Sequence, residues 1–106
     1  VEGYWNVLAI TQGKGFSMTF ANGNTVSVQF GFGNYCENRE KLSTVEACEG
    51  LDVLSKDAEV AAWDSANNWY DFGDDTVRGW LSPDNISSFV NFVANSDLTE
   101  DRWIQS

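Results

Sequence analysis

The chain has 106 residues, with sixteen acidic and six basic side chains, no histidine, one proline and two cysteines, for a net charge of −10. That length holds one domain with one modest core, and apolar and aromatic contents of 42% and 14% exclude a disordered acidic tail. Lack of histidine removes the usual near-neutral acid–base group and nucleophile activator, and two cysteines alone do not make a zinc site.

Residues 3–11, GYWNVLAIT, read as a first strand. Trp5, Val7 and Ala9 fall on one face, Tyr4, Leu8 and Ile10 largely on the other. Both faces are apolar, which predicts a central or doubly covered strand. Gln12 to Gly15 then turns the chain into its clearest signal, Gly15 to Phe32. There Phe16, Met18 and Phe20, and then Val26, Val28, Phe30 and Phe32, alternate with mostly polar residues, the period of a half-buried hairpin. The Asn22-Gly23 turn offers two registers. A two-residue loop pairs Phe20 with Thr25 and sends the apolar rows to opposite faces. A three-residue loop of Asn22, Gly23 and Asn24 pairs Phe20 with Val26, Met18 with Val28 and Phe16 with Phe30. Burial selects the second, with Asn24 in the left-handed conformation.

Residues 33–57 are the least regular part. Ser43 to Leu51 reads either as a short helix, capped by Ser43 with Glu46 closing a capping box, or as an irregular excursion. Cys36 and Cys48 either close a loop through a disulfide, worth roughly 3 kcal/mol in the chain-entropy model, or stay as buried thiols. Residues 58–64 read as a fourth strand, 69–72 as a fifth and 77–81 as a sixth. Asp64 opposite Trp69 gathers Trp63, Tyr70, Ala61 and Phe72 on one face. Phe72 opposite Val77 sets Asp71 beside Arg78 and Trp69 beside Trp80. Ser82, Pro83 and Asp84 form a helix start, and Ile86, Phe89, Val90, Phe92 and Val93 an apolar stripe ending near Asn95. Residues 96–106 read as a tail, with Trp103 and Ile104 pinning it to the body or contacting a partner. The expected fold is α+β: one domain over 1–106, an antiparallel meander of about five or six strands with one C-terminal helix on one face.

Charge is uneven. Residues 1–35 hold only Glu2 and Lys14, so the whole −10 falls on residues 36–106. Such a surface repels nucleic acid and anionic lipid and attracts basic partners. No apolar run reaches the roughly 18–20 residues of a membrane helix. No secretory signal pattern is present, and the start at Val1 fits removal of a methionine or a longer leader. Asp71, Asp74 and Asp75 cluster at a turn but match no calcium-loop pattern. The Asp-Phe-Gly triplet lacks every other kinase element, and Gly13-Lys14-Gly15 lacks phosphate-loop spacing. Cys36 lies near Arg39, but Glu37 and Glu40 oppose its activation. The sequence therefore assigns no catalytic residue, no metal and no cofactor. Trp69 and Trp80, with Asp71, Asp74 and Asp75 beside them, form the candidate contact surface. The long 33–57 loop or a second copy of the chain is the alternative, as a cover for it.

The run from Met18 to Arg39, MTFANGNTVSVQFGFGNYCENR, resembles a segment of small uncharacterised phage- and prophage-encoded proteins. So do AEVAAWDSANNWYDF and VRGWLSPDNISSFVNFV. The resemblance covers most of residues 15–95 and implies a mobile-element setting in a bacterial cytosol, with no activity attached. The expectation is a non-enzymatic protein that contacts a basic host protein, in one version by imitating nucleic acid. The alternative is a carbohydrate-binding module on a tryptophan platform.

Overall fold

The computed structural model describes residues 6–11, 14–40 and 54–105. One antiparallel sheet holds five strands in sequence order: β1 (Val7–Ile10), β2 (Gly15–Thr19), β3 (Thr25–Gln29), β4 (Ala58–Trp63) and β5 (Arg78–Leu81). Among the described residues a single helix, α1 (Pro83–Asn95), lies over β3, β4 and β5. The α+β meander read from the sequence is therefore the observed fold. The expected 43–51 helix and Cys48 fall outside the described residues.

Period-two alternation sorts the sheet's two faces. Val26 and Val28 of β3, Ala58, Val60 and Ala62 of β4, and Leu81 of β5 turn toward α1 and are buried. Phe16 and Met18 of β2 pack against the margin of that core. Ser82 caps α1, its hydroxyl accepting from the Asn85 amide at 3.3 Å, and Pro83 takes the first helical position, where its missing N–H costs nothing. Phe89 and Val93 are the fully buried members of the predicted stripe. Phe89 centres an aromatic cluster with Tyr70, Phe72, Phe92 and Trp103, at centroid separations of 4.9–6.1 Å.

The β2–β3 loop has three residues, as expected, but sits one position earlier. Phe20 pairs with Asn24 around Ala21, Asn22 and Gly23: the Phe20 amide donates to Asn24 O at 2.8 Å, and the Gly23 amide to Phe20 O at 2.9 Å. Gly23, and not Asn24, takes the left-handed conformation (φ 90°). Met18 consequently faces Val26, and Phe16 faces Val28. The shift is two residues in register, so each side chain keeps its face. Asn24 is freed for another task. Buried at 5% exposure, its amide group donates to Val93 O at 3.0 Å and Ser96 O at 2.8 Å. Asn22 adds bonds to Val93 O and Ala94 O. The loop thus caps the carbonyl end of α1, whose last turn has no basic residue.

Three expectations fail. β1 is neither central nor doubly covered: it forms one edge of the sheet, and all four residues are exposed. Apolar residues on both faces reflect an edge beyond the reach of α1, a case the pattern alone does not separate from double burial. Residues 69–72 are no strand. Only a Trp63–Trp69 bridge forms, closed by three loop residues with Asn67 left-handed (φ 63°), instead of the expected four. That one-residue slip parts two rings expected on one face: Trp63 joins Trp69 on the side away from α1, while Tyr70 keeps its expected place in the core. Finally, β5 pairs with β4, not with residues 69–72, so the Phe72–Val77, Asp71–Arg78 and Trp69–Trp80 pairs do not form. Residues 96–105 are pinned to the body, as the tail reading allowed: Leu98 is buried, and the Trp103 amide donates to the Tyr70 hydroxyl at 2.8 Å.

Candidate contact surface

The face turned away from α1 follows from the same alternation. Ser17 and Thr19 of β2, Thr25, Ser27 and Gln29 of β3, and Glu59, Ala61 and Trp63 of β4 point to it. Small polar side chains there bond to one another: Thr19 Oγ1 lies 2.8 Å from Thr25 Oγ1, and Gln29 Nε2 donates to Ser27 Oγ at 3.1 Å. The result is a polar strip across β2 and β3. At one end stand Trp63 and Trp69, ring centroids 4.8 Å apart and tilted by 31°. Trp69 is 49% exposed.

At the other end, residues 31–40 fold onto the sheet. The Tyr35 amide donates to the Glu59 carboxylate at 2.9 Å, and Asn38, itself buried, donates to Phe30 O and Leu54 O. Tyr35 sits so close to β5 that a Cβ on Gly79 would lie 2.3 Å from its Cβ, which accounts for glycine there. Gly79 and Trp80 together oppose Glu59, a bulge between the Val60–Arg78 and Ala58–Leu81 pairs. The Trp80 amide donates to Tyr35 O at 2.8 Å. Trp80 is held at φ 59°, a left-handed conformation costing a bulky residue roughly 1–2 kcal/mol, and its indole remains 56% exposed.

The three aspartates do not converge. Asp71 Oδ1 accepts from the Gly73 amide, Asp75 Oδ1 from the Thr76 amide, and Asp74 pairs with Arg78 at 3.2 Å. Each closes or ties a local turn. Among the described residues no group of three carboxylates or thiols is arranged to hold a metal ion. Trp69 and Trp80 are not neighbours: Trp69 stacks on Trp63 of β4, and Trp80 lies in β5 beside Tyr35. Sequence reasoning missed Tyr35 and Trp63 as surface aromatics. Tyr35 follows a Gly-Phe-Gly run that reads as a strand end, and Trp63 was displaced by the slipped register.

Among the described residues three groups depart from their ordinary titration, one of them Asp97, whose carboxyl is held low chiefly by the Thr99 hydroxyl and then the Thr99 amide. Burial pushes the Cys36 thiol up, reinforced by the charges of Asp57 and Glu59 against the Asn38 and Ser55 hydrogen bonds. Arg39 offers no activation, since its guanidinium donates to Gly33 O and lies 4.3 Å from the Tyr35 ring centre. Asp64 is held below the usual carboxylate range, chiefly by the Asn68 amide and then by the Asn68 side chain and the Ala66 amide.

On the helix side, a cavity of about 290 Å³ opens between Phe16, Val28, Phe30, Ala58 and Ile86, with Asp57 at its rim. Its size is near the lower limit for small-ligand sites, roughly 300 Å³. Among the described residues no helix is long and apolar enough to cross a membrane. Comparisons with protein-family models, curated proteins and solved structures returned no match.

Proposed function

We propose that the chain acts by binding, and that the face carrying Trp69 and Trp80 receives a basic protein partner. The observation that carries this reading is Trp80. A bulky residue in a left-handed conformation is strained, and here the indole gains only partial burial in return. Strained residues of this kind concentrate at ligand contacts, and tryptophan is enriched among interface hot spots. Charge favours a basic partner. Residues 54–105 hold ten carboxylates and three basic side chains, against one lysine in residues 6–35. A partner from a bacterial host suits the resemblance to phage-encoded proteins.

A second reading rests on the polar strip. Serine, threonine and glutamine side chains bounded by the Trp63–Trp69 pair provide the stacking surface and hydrogen bonds a soluble sugar requires.

The test compares wild type with Trp80→Gly by affinity capture from bacterial lysate at low and high salt. Glycine relieves the backbone strain, so the variant should fold at least nearly as stably as wild type while losing the partner. A partner held equally by wild type and Trp80→Gly, or held unchanged at high salt, overturns the reading. Quenching of tryptophan fluorescence by soluble oligosaccharides, without a protein partner, favours the second.

A further inference from the structure

We propose that the outer edge of β1 is a self-association site, at which two copies pair antiparallel about Ala9 and join two five-stranded sheets into one. The inference is independent of the tryptophan face.

Backbone geometry sets the register. The Thr11 amide donates to Gly15 O at 3.0 Å, and the β1–β2 pairing continues through Ala9–Ser17 and Val7–Thr19. In an antiparallel ladder, alternate residues bond inward. Leu8 and Ile10 therefore direct their amides and carbonyls away from β2, and among the described residues nothing bonds to them. A two-fold axis at Ala9 places Leu8 of one copy opposite Ile10 of the other. Those two pairs use all four outward groups of each copy in four hydrogen bonds. The same register is even, so both helices stay on one side of the joined sheet. Leu8 and Ile10, 74% and 86% exposed, are brought together on that side, beside the strip of Phe16 and Met18.

The sheet's two margins differ. At β5 the Trp80 amide is taken by Tyr35 and a bulge interrupts the strand. Among the described residues neither device protects β1, and residues 6–12 contain no charge and no proline, the usual deterrents to edge pairing. Charge also selects the occupant. A basic partner is drawn to the acid-rich β4–β5 half, whereas the β1 margin is close to neutral. Two copies joined there hold their acid-rich β4–β5 halves at opposite ends of the assembly.

Sedimentation equilibrium of the full chain, from micromolar to millimolar concentration, tests the proposal. A dimer is expected, unchanged or strengthened in half-molar sodium chloride, because added salt screens repulsion between the two acidic ends. Ile10→Pro deletes an outward amide that β2 does not use. The symmetric pair then loses two hydrogen bonds, and its dissociation constant should rise on the order of tenfold or more. Leu8→Lys should weaken the dimer as well, whereas Trp80→Gly should not. A monomer throughout overturns the proposal and leaves the edge to an extended segment of another protein. So does a dimer insensitive to Ile10→Pro and Leu8→Lys. Should both variants lose their far-ultraviolet signal, amide exchange of wild type decides. Leu8 and Ile10 protection that rises with concentration supports the pairing, and concentration-independent protection overturns it.

Discussion

Asn24→Ala tests the contact between the hairpin loop and the end of α1. The side chain is buried, and its two amide hydrogens go to separate carbonyls, Val93 O at 3.0 Å and Ser96 O at 2.8 Å. Each neutral hydrogen bond contributes about 1 kcal/mol net, and a carbonyl left without a partner away from water adds about 1–3 kcal/mol. Val93 O keeps a second donor, the Asn22 side chain at 3.2 Å, so only Ser96 O is fully deprived. The expected cost is about 2–3 kcal/mol, a large share of the roughly 5–15 kcal/mol that holds a domain together. For a chain of this length it lowers Tm by about 10 °C. Asn22 is exposed, and its replacement by alanine should cost only about 1 kcal/mol. In the double variant Val93 O loses both donors, so the combined loss should exceed the sum of the single losses. Urea titration followed by tryptophan fluorescence measures all three. A loss below about 0.5 kcal/mol for Asn24→Ala, or strict additivity, would refute the capping argument.

Other substitutions probe the core, the loop and the acid limb. Phe89→Ala removes the centre of the aromatic cluster and should cost about 3–5 kcal/mol by urea titration, with a change in near-ultraviolet dichroism from the Tyr70 and Trp103 environments. Gly79→Ala drives a methyl group onto Tyr35 and should cost about 1–3 kcal/mol by thermal melting. Paired with Tyr35→Gly the penalty should shrink, because the nearest obstacle is the Tyr35 side chain. Asp64 supplies stability that is complete above its unfolded value, near pH 3.9, and is lost as pH falls through its lower folded value. Melting temperature against pH should therefore fall less steeply below about pH 4 in Asp64→Asn than in wild type.

Face assignment was legible in the sequence and strand register was not. Phe16, Met18, Val26 and Val28 alternate so regularly that either odd-length loop delivers them to one side. The hydrophobic pattern cannot tell registers two residues apart, and the turn settled that choice by placing Gly23, with no Cβ, at the left-handed position. Residues 64–69 show the opposite case: choosing a four-residue loop over a three-residue one set Trp63 beside Tyr70 in the core, where only Tyr70 belongs. Helix α1 was legible from cap to stripe because its signals are local. Its far end was not, since the groups that satisfy its carbonyls come from Asn22 and Asn24, seventy-odd residues earlier. Of the site, Trp69 and Trp80 were singled out from residue type. The cross-strand pairing expected to join them failed, because β4 rather than 69–72 is the neighbour of β5.

The bonds from Asn22 and Asn24 to residues 93–96 join positions 69–72 residues apart, which constrains the order of assembly. During synthesis the β2–β3 hairpin can close early, while the helix that roofs Val26 and Val28 emerges last. Until then a greasy half-sheet must survive without its cover, so the nascent chain passes through a stage prone to clumping. The slow event on the way to the native state should be the docking of the final third onto the first.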